Sequence, residues 1–175
     1  KRREYFEKQL ESVLNQSIKP TEIFVWNNSG VPLNHKNIDL EINSNINTGV
    51  WSRFSLALNS NKKFISIIDD DTIPGKRWYE NCLNCFNEQE AVYGSRGIRF
   101  FFKNLYLPVE EFGIYGPSKD TNKVDIVGHN WFFKRDWLPY FWLESNNSKN
   151  SRFVGEDMNL SFALKKHLNI DTLVP

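Results

Sequence analysis

Three carboxylates in a row close an apolar run in this chain: Phe64-Ile65-Ser66-Ile67-Ile68 leads directly into Asp69-Asp70-Asp71. Adjacent carboxylates repel and raise one another's pKa unless a cation or several hydrogen bonds offset the charge. A hard divalent ion, Mn²⁺ or Mg²⁺, is the simplest partner. The β-branched run itself reads as a buried strand of an α/β sheet, and in open α/β sheets ligands bind just beyond the carboxyl ends of strands. The acids therefore stand where a site belongs. Side chains alternate along a strand, so Asp69 and Asp71 are expected on one side as ligands while Asp70 points away.

A second acidic pair, Glu156-Asp157, follows Gly155 at the start of a helical pattern, where the helix dipole stabilises carboxylates. His129-Asn130-Trp131 follows a strand end and a glycine; a histidine there can ligate a metal or bind a phosphate or a hydroxyl. Asn27 and Asn28 end another apolar run, and an amide can read a base edge with one donor and one acceptor.

The elements that must position these groups follow from spacing. Phe6, Leu10, Val13 and Leu14 repeat at helical spacing until Pro20, and Ile23 to Trp26 is a buried strand running into the turn composition of Asn27-Asn28-Ser29-Gly30. Asp39 to Ile42 reads as a short strand, and a second helix opens at Gly49-Val50 and contains Arg53. After the acids, Trp78, Cys82, Cys85 and Phe86 mark a third helix. Ala91 to Tyr93 and Arg99 to Phe102 read as two strands separated by a Gly94-to-Gly97 turn, with an irregular excursion over 103–123. Val124 to Val127 is a further strand, followed by a short aromatic helix, a polar loop from Glu144 to Ser151, a last helix from near Gly155 and a strand from Ile170 to Val174.

Length and composition bound the rest. A chain of 175 residues is long enough for one domain with its own core. With 22 Lys and Arg against 21 Asp and Glu, the net charge of +1 gives no general electrostatic case for nucleic acid. No apolar run reaches the roughly 20 residues of a membrane span. Cys82 and Cys85 are the only cysteines, with no second pair to complete a zinc site, and are read as reduced core thiols. The chain opens on Lys1 directly in a helical pattern, so it reads as a piece of a longer protein, cytoplasmic or membrane-associated through segments outside this stretch.

Taken in order, several of these segments resemble a known family. Glu4 to Ser17 followed by Pro20-Thr21-Glu22-Ile23 is similar to the opening helix and second strand of family-two, GT-A-type glycosyltransferases. Asn47-Thr48-Gly49 with Arg53 resembles their Asn-x-Gly…Arg helix, Asp69-Asp70-Asp71 their Asp-x-Asp motif, and Gly155-Glu156-Asp157 their Glu-Asp motif. Val25-Trp26-Asn27-Asn28, Arg53-Phe54 and Val124 to Val127 also resemble exostosin-like transferases, which share the fold.

The resemblance implies one α/β domain of GT-A type over residues 1–175, a mixed sheet flanked by helices. It implies a metal-dependent transfer of a sugar from a nucleotide-diphosphate donor, a UDP-sugar by preference, to a saccharide or glycoconjugate hydroxyl, with inversion where the family-two resemblance governs and retention where the exostosin-like one does. Asp71 and Asp69 would hold the metal, and Asn27, Asn28, Arg53, Asp69 and Asp70 would meet the donor. Arg96 and Arg152 are further pyrophosphate candidates. Asp157 would be the general base beside Glu156, and His129, Asn130 and Trp131 would face the acceptor, Trp131 through an apolar ring face. The family's first strand, central in the sheet, has no counterpart ahead of the opening helix, so its two neighbours are expected to lack a partner. Two other readings compete: a haloacid-dehalogenase-type phosphatase using Asp69 and Asp71 as nucleophile and acid, and a non-catalytic metal or sugar-binding module.

Overall fold

The computed structural model describes residues 2–107, 109–117, 119–145 and 151–175, the side chains of Arg2 and Arg3 excepted. Most of the polar loop expected over 144–151 lies outside the described residues. The chain is an α/β structure with a mixed, six-stranded sheet flanked by helices. Helix α1 (Arg2–Leu14) opens it, followed by strands β1 (Phe24–Asn27) and β2 (Leu40–Asn43), helix α2 (Ser52–Ala57) and strand β3 (Phe64–Ile68). Helix α3 (Trp78–Glu88), strands β4 (Ala91–Phe100), β5 (Val109–Phe112), β6 (Asn122–Val124) and β7 (Ile126–Lys134) come next, and a 3-10 turn leads into α4 (Leu138–Glu144). Helix α5 (Glu156–Leu168) and strand β8 (Asp171–Val174) complete the chain.

The large sheet runs β3-β7-β4-β8-β6, with β5 on the far half of β4. Strands β3 and β7 are antiparallel with Ile68 opposite Asn130, and β4 and β8 are parallel. Strands β1 and β2 pair in parallel as a sheet of their own. Among the described residues no strand ladder joins β1 to β3, although α2 packs against both.

Two expectations about strands are corrected. The Gly94-to-Gly97 segment is not a turn but the middle of the ten-residue strand β4. Its glycines serve close packing: a Cβ on Gly94 would sit 2.4 Å from Val127 Cβ, and one on Gly97 would sit 2.7 Å from the Val124 and Val174 methyls. The segment after Gly128 is likewise not a helix; β7 continues through Trp131-Phe132-Phe133 to Lys134, and the helix begins only at Leu138. Part of the 103–123 excursion is also ordered into β5 and β6.

The core is dense in aromatics. Phe54 on α2 stacks on Phe141 of α4 at 4.4 Å between ring centroids and meets the edge of Trp131 at 5.7 Å. Burying such rings contributes about 1.5–3 kcal/mol each, with roughly 0.5–1.5 kcal/mol more for well-placed pairs. Helix α2 is only six residues long, too short to persist without packing. Phe54 therefore does for α2 what propensity cannot, and fixes Arg53 beside it. The cysteines are core thiols as read, Cys82 fully buried and Cys85 half-buried on α3.

Candidate functional site

The acids do not remain on a strand. Strand β3 stops at Ile68, and the Thr72 amide donates to the Asp69 carbonyl at 3.0 Å, closing a turn over 69–72. The turn, rather than strand alternation, returns Asp71 to the side of Asp69. Carboxylate oxygens of both and a ring nitrogen of His129 all lie within 4.8 Å of one another.

His129 reaches this point through a break in the β4–β7 ladder. Gly94 pairs with Trp131 and Arg96 with Gly128, so His129 and Asn130 together face only Ser95. Such a bulge bends a strand and re-aims a side chain. His129 adopts φ +66°, a left-handed conformation that costs a non-glycine residue on the order of 1 kcal/mol or more. Its carbonyl still accepts from the Asp69 amide at 2.9 Å, which stitches the bulge to the acid turn. Its Nε2 lies 3.0 Å from Arg96 Nη1 and its Nδ1 lies 3.9 Å from Asp71 Oδ1. Guanidinium nitrogens only donate. The contact therefore makes Nε2 the acceptor, leaving the Nδ1 side toward Asp71. Burial first and Arg96 second hold the His129 pKa below its ordinary value, with Asp71 and Asp157 opposing.

Arg53 anchors the other flank. Its Nη2 donates to Glu156 Oε1 at 2.6 Å and its Nη1 lies 2.9 Å from Asp69 Oδ1, with only about a fifth of the arginine side chain exposed. The guanidinium carbon sits 4.9 Å from the centroid of the Trp131 ring. The approach to Asp69 is close but poorly aligned: Asp69 Oδ1 and Arg53 Nε are both buried without a hydrogen-bond partner. Burial drives the Asp69 pKa up to about 7; Arg53 lowers it, while Asp71, Glu156 and Asp70 raise it further. Burial also raises Glu156, against the pull of Arg53.

The residues expected at the site divide accordingly. Asp69, Asp71, His129 and Arg53 converge, with Asp70 exposed on the same turn. Glu156 is buried as the partner of Arg53, so it positions that arginine. Asp157 is half-buried on the first turn of α5, its Oδ1 accepting from the Met158 amide at 2.6 Å. Asn28 is exposed and its Oδ1 accepts from Thr48 Oγ1 at 2.9 Å, tying the end of β1 to the Asn47-Thr48-Gly49 loop.

Three expectations are corrected by burial. Asn27 is 8 % exposed, its amide donating to Val31 O and Glu41 Oε1 at 2.8 Å and its Oδ1 accepting from Ser29, so it builds the loop and has no edge left for a base. Trp131 is 1 % exposed, with its Nε1 on Val127 O at 2.9 Å; it supports Arg53 from below and offers no face to a sugar. Asn130 is fully buried, its Oδ1 accepting from Ser66. Arg152 is exposed, and its backbone carbonyl, which accepts from the Val50 amide at 2.8 Å, is what binds the start of α2. A groove of about 250 Å³ is lined by Phe100, Asp125, Ile126, Met158, Ser161, Phe162 and Lys165.

Asp69, Asp71 and His129 together form a group that could hold a metal ion, with Asp69 Oδ1 buried, close to Arg53 and without a hydrogen-bond partner. A helix-loop-helix calcium loop is excluded by the strand, β3, that precedes the acids. No protein-family model matches the chain, and no curated protein matches it.

Proposed function

We propose that this domain is a metal-dependent glycosyltransferase of GT-A type, moving a sugar from a nucleotide-diphosphate donor to an acceptor hydroxyl. The observation behind the reading is the convergence of Asp69, Asp71 and His129 at the end of β3, with a buried arginine beside them. Asp69 and Asp71 would hold Mn²⁺ or Mg²⁺, with His129 as the third donor or as a contact to phosphate. A divalent cation there would offset charge developing on a departing diphosphate.

The protein's own residues supply the rest. Arg53 is fixed by Glu156 and by the Trp131 ring and sets its positive charge beside Asp69. Arg96 sets the His129 ring and adds a second positive charge on the same face. Asn28, exposed at the end of β1, would meet the nucleoside. Asp157 acts as general base on the acceptor hydroxyl, taking its proton as the oxygen attacks the anomeric carbon. A direct attack of this kind inverts that centre. The groove along Met158 and Phe162 admits the acceptor, its lining suited to a partly apolar molecule. A phosphatase reading asks Asp69 to be a free nucleophile, whereas Arg53 Nη1 lies 2.9 Å from its Oδ1.

Turnover tests this reading. With a UDP-sugar and Mn²⁺, release of UDP is expected from the wild-type chain, and Asp157→Asn should reduce it by about 10²- to 10⁴-fold with donor affinity retained. Unchanged turnover in Asp157→Asn would remove that residue from the mechanism.

A further inference from the structure

We propose that helix α1 splints the acid turn, with Gln9 as the residue that positions Asp69 and Asp71; the proposal rests on reading those carboxylates as the cation-holding pair. Between the end of β3 and the start of α3, residues 69–76 lack regular structure, and few of their carbonyls find partners within the segment. Backbone oxygens shielded from water by a packed helix need donors. Helix α1 supplies them one after another. Gln9 Nε2 donates to Asp69 O at 2.5 Å and to Thr72 O at 2.6 Å. Tyr5 Oη donates to Asp71 O at 2.8 Å, Ser12 Oγ to Pro74 O at 2.6 Å and Gln16 Nε2 to Gly75 O at 2.8 Å. The Ser17 amide donates to Lys76 O at 2.9 Å.

The donors at positions 5, 9 and 12 fall on one stripe of α1, and Gln16 continues the row just past the helix end. Leu10 and Val13, 4 % and 7 % exposed, bury beside it, so the polar stripe is held in register by apolar contacts. Gln16 is 2 % exposed, and its Oε1 also accepts from the Tyr79 amide at 3.3 Å, which docks the start of α3.

Gln9 has a distinct place in this stripe. Its amide nitrogen carries two N–H groups, one for each end of the 69–72 turn. Because the carbonyls of Asp69, Asp71 and Thr72 are turned toward α1, the carboxylates of Asp69 and Asp71 are left to face His129. Gln9 bonds to backbone oxygens and not to the carboxylates, so it is a positioning residue. Substituting groups that orient metal ligands costs affinity rather than fold.

The test uses the full chain with Mn²⁺ alone as probe, followed by the electron paramagnetic resonance of free Mn²⁺, together with amide hydrogen exchange over 69–79 and thermal melting. Gln9→Met keeps the length of the side chain and removes both donors; Gln16→Met removes the buried donor further along. Gln9→Met is expected to weaken Mn²⁺ binding by about 10- to 100-fold and to speed exchange over 69–73. Gln16→Met should lower the melting temperature at least as much, speed exchange only from Gly75 onward, and leave Mn²⁺ affinity within about twofold, since it touches neither end of the 69–72 turn. The proposal is overturned if Gln9→Met leaves both affinity and exchange over 69–73 unchanged, or if the two variants weaken Mn²⁺ in proportion to lost stability. If the wild-type chain takes up no Mn²⁺, the cation reading fails by itself. Exchange over 69–73 then decides the splint, faster in Gln9→Met upholding it and unchanged overturning it.

Discussion

In the metal-free chain Asp69 is held near neutrality by its surroundings, burial first and the neighbouring carboxylates after it. This has a consequence for stability. Below a pH of about 3.9 the group is protonated in both folded and unfolded chains, and its contribution is intact. As pH rises the unfolded chain releases its proton first, so stability falls until the folded group ionises at about 7. Urea midpoints of the wild type, measured in chelator from pH 4 to 8, should therefore decline across that window, and Asp69→Asn should flatten the decline. Matching profiles for the two proteins would mean that Asp69 is not the group responsible. At this scale part was legible from the sequence: Asp69 and Asp71 were expected on one side, and both join the group that could hold a metal ion. What was not legible is which neighbours are spent on structure. Asn27 and Trp131 have the right chemistry for ligands, yet both are buried with their polar atoms already bonded.

The elements place the site through junctions rather than through their interiors. The acid turn, the bulge at His129 and the N-terminal ends of α2 and α5 meet because loops are tied to one another. Gly49 illustrates this, with φ +85° and a would-be Cβ only 1.9 Å from the Arg152 carbonyl oxygen. That closeness lets the Val50 amide reach the same oxygen, and Trp51 Nε1 reaches Ser151 O at 3.2 Å. The start of α2 is thereby strapped to the segment leading into α5, and Arg53 arrives beside Glu156. Gly49→Ala is expected to cost about 2 kcal/mol or more, from backbone strain and the displaced strap. Thermal or urea denaturation would report it, and a variant as stable as wild type would show that the strap is dispensable. Helices and the acid-bearing strand were readable from hydrophobic spacing, because burial imposes that spacing directly. The continuity of β4 and the length of β7 were not, because Gly94, Gly97 and Gly128 look like turn residues. Gly94 and Gly97 instead make room for Val127, Val124 and Val174 across the sheet. Nor was the row of donors Tyr5, Gln9, Ser12 and Gln16, whose partners are the carbonyls of 69–76, some sixty residues away in sequence.

Over the whole molecule, the acid turn after β3, the strained histidine of β7 and the half-buried arginine of α2 come together, while β1 and β2 form a sheet separate from that of β3. The α/β class was legible, since alternating strands and helices leave few other architectures. The division was anticipated only through the family resemblance. A nucleotide bound at this site would span the open end of β1 at Asn28 and the turn at Asp71, coupling the two sheets. The most direct test of the central claim is calorimetric titration of the chain with UDP, with and without Mn²⁺, repeated on Asp71→Ala and with GDP in place of UDP. Saturable binding that needs Mn²⁺, prefers UDP and is lost in Asp71→Ala is the expected result. Binding of neither nucleotide with Mn²⁺ present, or binding of equal strength in Asp71→Ala, would contradict a metal-dependent nucleotide-sugar site at Asp69 and Asp71.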